Sequence, residues 1–400
     1  MPTVVLKKGR ARPFWYQHPW VFSGAVHRVE GAPADGDVVD LNDAEGRFVG
    51  RGFYNGTSQI RVRVCTWESE EAIDASFFDR KLSAAVALRR DLGLPNDETD
   101  CYRLVHGEGD GLPGLVVDVF ARTAVVQFSA LGLLRFEDAV LDALSDKLEL
   151  DAIVEAPSEF SLEKEGIAEQ ARQEPRVLRG TMPDGGIEIR ELGVRYGVDP
   201  IGGQKTGFYV DQRDNRQRLA SLARGRRVLD AFCYSGAFGL VAALRGGAEE
   251  VLGIDTSERA VQTAQKNAER NGCDPTRVRF ERADAREYLK NGDVGGRFDL
   301  ISLDPPKLAR SRNNVEKAAA KYSEINRLAI RAVARDGWLA TCSCSQHIHP
   351  DDFVSILHEA SRAEDRDLQI VERRSQGPDH PVRAACPESE YLKFVLCRVS

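Results

Sequence analysis

Apolar residues in this chain follow two spacings, and the change from one to the other divides it. Over residues 1–66, short alternating runs such as TVVLKK, DVVDLND, RFVGRGFY and QIRVRVCTW are separated by Gly, Asp, Asn and Pro. A period of two sends successive side chains to opposite faces of a strand, so this stretch predicts a small β-barrel or open sheet with few helices. SEEAIDASFFDRKLSAAVALRRDLGL then takes helical spacing, with Ser69 or Asp74 as its cap. Residues 101–199 read as strands GLVVDVF and TAVVQFS, helix RFEDAVLDALSDKL, strand AIVEA and a late hairpin GGIEIRELGVRYGV, a compact α+β unit.

From about residue 200 strands and helices alternate. The pairs are RRVLDAF with GLVAALRGG, EVLGID with ERAVQTAQKNAERN, VRFERAD with REYLKN, FDLISLD with VEKAAAKYSEINRLAIRAV, and GWLATCSCS with DDFVSILHEASR; LQIVERR and YLKFVLCRV follow. Repeated βα units predict a mainly parallel sheet with helices on both faces, which binds ligands beyond the carboxyl ends of its strands. The domains expected are residues 1–68, 69–190 and 191–400.

Composition adds bounds. At 400 residues the chain exceeds what one hydrophobic core organises. With 42% hydrophobic and 29% charged residues it reads as a soluble globular protein. No apolar window reaches membrane-spanning length, so a cytoplasmic protein without a membrane partner is expected. Eight dispersed cysteines imply free thiols rather than a disulfide scaffold. The net charge of -7 hides an asymmetry, since residues 67–199 carry 28 acidic against 14 basic residues and both flanking parts are net positive. The first 28 residues hold Lys7, Lys8, Arg10, Arg12 and Arg28 and no carboxylate. Local patches bind phosphates, so an RNA partner stays open; a solvated basic face accounts for the charge equally well.

The chemistry concentrates on one sheet edge. The first strand of the βα series ends at Asp230 and runs directly into AFCYSGAFG, where Gly236 and Gly239 let backbone approach a ligand. Neither GxGxxG nor a GxxxxGK loop is present, which argues against NAD and ATP. The next three strands end in Asp255, Asp284 and Asp304. Four such carboxylates favour a nucleoside ligand, Asp255 being placed for a ribose, over helix capping alone. The arrangement resembles class I S-adenosylmethionine-dependent methyltransferases. That resemblance implies contacts from Asp230, Phe232, Ser235, Gly236 and Gly239 to the amino acid part of the cofactor, from Asp255 to its ribose, and from Asp284 and Ala285 to its adenine. GGQKTGFYVDQRDNR resembles a family element lying over the cofactor, which adds Phe208 and either Gln212 or Asp211.

The fourth of these strands ends in LDPPKLARSR, where two prolines after Asp304 hold the backbone rigid. Methyltransferases acting on exocyclic amines carry an aromatic after a similar Asp/Asn-Pro-Pro; Lys307 stands there instead, which weakens that reading. The fifth ends in TCSCSQHIHP. Cys342 and Cys344 project to one face of an extended strand, Cys344 nearer the ligand edge. A disulfide at this spacing is awkward, zinc held by Cys342, Cys344, His347 and His349 matches no usual structural pattern, and inert buried thiols remain an option. A nucleophile beside a methyl donor is the better reading. Carbon 5 of cytosine becomes nucleophilic once a thiolate adds to carbon 6, with Asp304 holding the base and offsetting charge.

HPWVFSGAV, EGDGLPGLVVDVF, GGQKTGFYVDQRDNR, LDPPKLARSR, TCSCS and DHPVRAACPESEYLK together resemble the RlmI-type bacterial 23S rRNA cytosine-5 methyltransferases along essentially the whole chain. The resemblance implies an N-terminal PUA domain, a small central α+β domain and a Rossmann-like methyltransferase domain with a mainly parallel seven-stranded sheet. It also implies S-adenosylmethionine as cofactor, 23S rRNA or a large-subunit precursor as partner, and a monomer or homodimer. The nucleophile falls on Cys344, while Cys342 stands where another residue type can occur. Pro305 and Pro306 leave no second cysteine of the kind that assists product release in other RNA cytosine-5 methyltransferases. Lys7, Arg10, Arg12 and Lys307 are the candidate RNA contacts, beside the aromatics Phe14, Trp15, Tyr16 and Trp20. Two alternatives stay open: methylation of a guanine or other base nitrogen without a covalent step, and a silent RNA-binding assembly protein.

Overall fold

The computed structural model describes all residues except 158–162, 164, 167–173, 202–206, 293 and 310–313. The first part of GGQKTGFYVDQRDNR, residues 202–206, and residues 310–312 of LDPPKLARSR therefore lie outside the described residues. Contacts divide the chain into two units. The first comprises Met1–Ile189, Val198–Val210 and Pro378–Ser389; the second comprises Arg190–Gly197, Asp211–Gly377 and Glu390–Ser400.

In the first unit, β1 (Thr3–Leu6), the short α1 (Arg12–Trp15), β2 (Trp20–Phe22), β3 (Val26–Glu30), β4 (Val38–Asn42), β5 (Phe48–Tyr54) and β6 (Ile60–Thr66) form the N-terminal part. Its six-stranded sheet has the order β2-β6-β5-β4-β1-β3, and the alternation seen in the sequence buries Val4, Leu6, Val39, Leu41, Val62 and Val64 in one cluster. Helix α2 (Ala75–Asp91) starts where Asp74 accepts the Phe77 N–H at 3.0 Å. It leads to a five-stranded sheet, ordered β11-β10-β9-β8-β7. Those strands are β7 (Cys101–His106), β8 (Leu115–Phe120), β9 (Thr123–Phe128), β10 (Ala152–Glu155) and β11 (Arg176–Gly180), with α3 (Leu131–Leu134) and α4 (Glu137–Lys147) between them. A hairpin of β12 (Ile187–Glu191) and β13 (Val194–Val198) follows, of which Arg190–Gly197 belong to the second unit.

The second unit alternates as the spacing predicts. After α5 (Arg213–Ala220) come β14 (Arg227–Ala231), α6 (Ala237–Leu244), β15 (Glu250–Asp255), α7 (Glu258–Arg270), β16 (Val278–Arg282), α8 (Ala285–Asn291), β17 (Phe298–Leu303), α9 (Val315–Ala332), β18 (Val333–Ser343), α10 (Pro350–Ala363), β19 (Leu368–Arg374) and β20 (Lys393–Val399). The sheet order is β16-β15-β14-β17-β18-β20-β19. It is a mixed sheet rather than a parallel one, because β20 runs antiparallel to both β18 and β19. The chain reverses before β20 to fill the gap between those two strands, which no right-handed βα crossover would do. Alternate residues feed two cores: Leu229, Ile301, Leu339 and Val395 pack with α8, α9 and α10, whereas Val228, Leu300, Ala340 and Phe394 pack with α5 and α6. Among the described residues no helix is long and apolar enough to cross a membrane.

Candidate active site

The carboxyl ends of β14, β15 and β17 converge on the turn between Asp230 and α6. Asp230 lies in β14 next to the last strand residue, is buried, and accepts the Gly239 N–H at 2.9 Å, so its charge sits at the positive end of α6. Burial pushes its carboxyl up to about 7; the Gly239 amide and the Arg216 guanidinium pull the other way, while Asp304 and Asp255 add to the rise. Arg216 is itself buried against Glu191 at 2.6 Å, a pair not legible in the sequence because Arg216 lies in the polar run RDNRQR and Glu191 takes a core-facing position of an alternating strand.

Within the turn, Phe232 and Tyr234 both have positive φ, +63° and +48°. Left-handed backbone at non-glycine residues costs free energy and gathers at ligand sites. Gly236 has φ +79°, and a Cβ there would come within 2.7 Å of the Phe280 ring. Ser235 is buried, and its carbonyl accepts from Asn267 Nδ2 at 3.0 Å. Asp255 ends β15 and accepts the Tyr234 N–H at 3.0 Å and the Ser257 N–H at 2.9 Å, which ties the turn to the next strand end. Helix α7 is capped by Ser257, not by Asp255. Asp284 does cap its helix, accepting the Glu287 N–H at 2.9 Å, and Ala285 behind it is buried in the core.

Asp304 follows β17 directly, and Gln212 joins it to β18. The Gln212 amide nitrogen donates to Asp304 Oδ2 at 3.0 Å and to Cys342 Sγ at 3.4 Å, while Asn215 Nδ2 donates to its Oε1 at 2.7 Å. Both amide protons are thus directed at Asp304 and Cys342, so Gln212 orients Asp304. Asp211 next to it accepts from the Tyr391 hydroxyl at 2.5 Å. Phe208 is buried and belongs to the first unit, unlike the other residues assigned to the cofactor.

The two cysteines of TCSCS have different surroundings. Cys342 is 1% exposed and its thiol is pushed well above the ordinary range, by burial first and then by Asp304. Cys344, just past the end of β18, is half-buried and so retains an accessible surface. His349 is exposed and precedes α10, its N–H donated to Asp352 at 3.1 Å, and His347 is half-buried in the same loop. Lys307 is half-buried after the two prolines. Lys393, which no sequence motif singles out, donates from Nζ to the Ser345 carbonyl at 2.7 Å.

In the first unit Lys7, Arg10 and Arg12 are exposed together with Trp15, Tyr16 and Phe22. Arg10, Phe14, His18, Trp20 and Phe22 line a groove of about 440 Å³, and Lys7, Arg12, Trp15 and Tyr16 line a second of about 350 Å³. His18, Cys386 and Glu388 bring three ligand-type atoms within 4.8 Å of one another. The Trp20 N–H donates to His18 Nδ1 at 3.2 Å, which puts the proton of the neutral ring on Nε2, the nitrogen facing Glu388 at 3.4 Å. A ligating nitrogen needs its lone pair, so this arrangement is a hydrogen-bonded turn rather than a metal centre.

Comparison with known proteins agrees with both parts of the chain. Residues 4–67 match a PUA-like domain and residues 103–396 match an S-adenosylmethionine-dependent methyltransferase. The protein named Ribosomal RNA large subunit methyltransferase I from Erwinia tasmaniensis is 40% identical over 397 residues, 99% of each chain. Its namesake from Aeromonas hydrophila is 41% identical over 401 residues, again 99% of each. Among solved structures, a methyltransferase complexed with SAH aligns over 100% of both chains with a TM-score of 0.84 at 18% identity, a likeness of fold alone. With its PUA-like start, its methyltransferase fold and full-length relatives at this identity, the chain belongs to the S-adenosylmethionine-dependent methyltransferases, in the family of ribosomal RNA large subunit methyltransferase I.

Proposed function

We propose that the protein methylates carbon 5 of a cytosine in 23S rRNA through a covalent adduct with Cys344. The observation that carries this reading is the accessible Cys344 at the end of β18, beside the strand that presents Asp304. The residues fit the cofactor. Asp230, Asp255 and Asp284 follow one another along adjacent strands, and the strained Phe232–Tyr234 turn lies between the first two. In this reading Ser235, Gly236 and Gly239 bring backbone to the methionine end, Asp255 accepts the ribose hydroxyls, and Asp284 with Ala285 meets the adenine. When bound, S-adenosylmethionine supplies an electrophilic sulfonium methyl group.

The Cys344 thiolate donates an electron pair to form a bond to carbon 6, and the electrons of the carbon 5–carbon 6 double bond move to carbon 5. Carbon 5 would then be the nucleophile for the methyl group that bound S-adenosylmethionine would supply, its carbon–sulfur electron pair remaining with the cofactor sulfur. A base then removes the carbon 5 proton, the double bond reforms, and the bond to Cys344 breaks with its electrons returning to the thiolate. Asp304, oriented by Gln212, holds the polar edge of the cytosine and offsets charge as the thiolate adds. A ring attacked from its face must first leave its helix stack. Lys7, Arg10 and Arg12 on the PUA-like part, with Lys307 near the catalytic edge, contact the RNA backbone, and the exposed aromatics offer stacking surfaces.

The test uses rRNA substrate containing 5-fluorocytidine. Fluorine in place of the carbon 5 proton prevents the elimination, so a stable protein–RNA adduct forms and digestion places it on Cys344. Methylation of ordinary RNA without any adduct would instead point to a base nitrogen as the acceptor.

A further inference from the structure

Lys393 carries more than its strand requires. It opens β20 opposite Ser343 of β18, one residue before Cys344. The residue is only 8% exposed, and Nζ is fixed by the carbonyls of Ser345 at 2.7 Å and Tyr391 at 2.9 Å. Neutral carbonyls do not by themselves compensate a buried ammonium. The Ser345 carbonyl that holds Nζ belongs to the residue after Cys344, and Cys344 and Glu390 favour the charge on Lys393 while Lys307 opposes it. Burial lowers the Lys393 ammonium to about 8, so the cation is retained at neutral pH but at a cost in solvation. The other titratable groups around this corner are Lys307 and Asp304 after β17, Cys342 on β18, Tyr322 on α9 and Glu390 before β20. Asp304 and Glu390 disfavour a thiolate, and Tyr322 is neutral, its hydroxyl pushed up by burial.

We infer that Lys393 is the positioning residue that keeps Cys344 as a thiolate, its ammonium held in place by the Ser345 and Tyr391 carbonyls. The pairing is reciprocal: the thiolate retains the proton on Lys393, and the ammonium retains the negative charge on sulfur. Lys393 acts before RNA arrives and again when the thiolate leaves carbon 6, since the same cation receives the returning charge. This inference rests on the reading of Cys344 as the nucleophile, but its test does not need RNA.

The rate of Cys344 alkylation by iodoacetamide is followed from pH 5.5 to 9.5 on the full-length protein by peptide mass spectrometry. A nearby opposite charge favours the thiolate, so Lys393→Gln should alkylate Cys344 about tenfold more slowly at pH 6.5, with its profile moved to higher pH. Lys393→Arg should restore the wild-type profile. Superimposable profiles for wild type and Lys393→Gln overturn the inference. If Lys393→Gln does not fold, the Cys344→Ala protein decides. Loss of the thiolate should lower the pH at which isotopically dimethylated Lys393 titrates by NMR, and an unchanged midpoint overturns the pairing. A shifted profile together with a product other than 5-methylcytosine would retain the pair and remove the proposed reaction. An unshifted profile with 5-methylcytosine formed on Cys344 would do the reverse.

Discussion

Cys342 and Cys344 are two residues apart in one strand end, and the tertiary structure treats them differently. The spacing places both at the ligand edge, but it does not show which is reachable. That depends on Gln212, which lies 130 residues earlier and donates to Cys342 Sγ while holding Asp304. Cys344→Ala should abolish methylation and leave S-adenosylmethionine binding intact by calorimetry, whereas Cys342→Ala should keep most activity. Equal activity of Cys344→Ala and wild type would contradict the covalent route. A second prediction concerns Asp230, whose carboxyl lies near 7 in the folded chain against an ordinary value of 3.8. Between about pH 4 and 7 the folded protein holds a proton that the unfolded chain has released, so this group's contribution to stability falls as pH rises through that window. The loss is complete above 7 and is on the order of a few kcal/mol. Ligand-free Asp230→Asn should therefore lose less Tm than wild type between pH 5 and pH 8, and parallel losses would show that the carboxyl is not responsible.

At the scale of elements, the sequence reading succeeds where periodicity is clean and misses where buried residues are polar. The central strands of the βα series are legible because both faces are apolar, as in β14, where residues alternate between two cores, and the helices because one face is. The reading leaves out α5, because Arg213, Asn215 and Arg216 occupy its buried face and erase the apolar stripe. It also leaves out β7, whose burial shows no strict alternation. Asp284, expected from the sequence as a ligand carboxylate, caps α8 in the structure, and strand-end position alone does not tell the one role from the other. The turn from Asp230 to α6 gives a third prediction. Gly236→Ala combines a left-handed backbone with a Cβ 2.7 Å from the Phe280 ring, so it should lower stability by about 2 kcal/mol and weaken cofactor binding. Thermal melting and calorimetry check it, and an unchanged Tm would mean that the turn rearranges at little cost.

At the scale of the molecule, the chain divides differently in contacts than in order. Pro378–Ser389 returns to the first unit, where the carbonyl of Asp379 accepts from the buried Arg89 at 2.7 Å and that of Ser389 lies 3.1 Å from His106 Nε2. The basic and aromatic surface of the same unit carries the fourth prediction. Arg10→Ala with Arg12→Ala should weaken rRNA binding and reduce the slope of log affinity against log salt by about 1.4, with cofactor affinity unchanged. Fluorescence anisotropy across a salt series measures this, and an unaltered slope would place the RNA elsewhere.

By itself, the amino-acid order determined the kinds of elements, the sheet edge that carries Asp230, Asp255 and Asp304, and the cysteine pair near it. Those follow from local spacing, because backbone geometry converts a period of two or of 3.6 directly into a face. Only the tertiary structure decided that β20 runs antiparallel between β18 and β19, that Gln212 covers Cys342, and that Lys393 reaches the carbonyl beside Cys344. Each of these joins residues tens to more than a hundred positions apart. The burial that sets their charge and access belongs to the packed chain, not to any stretch of it.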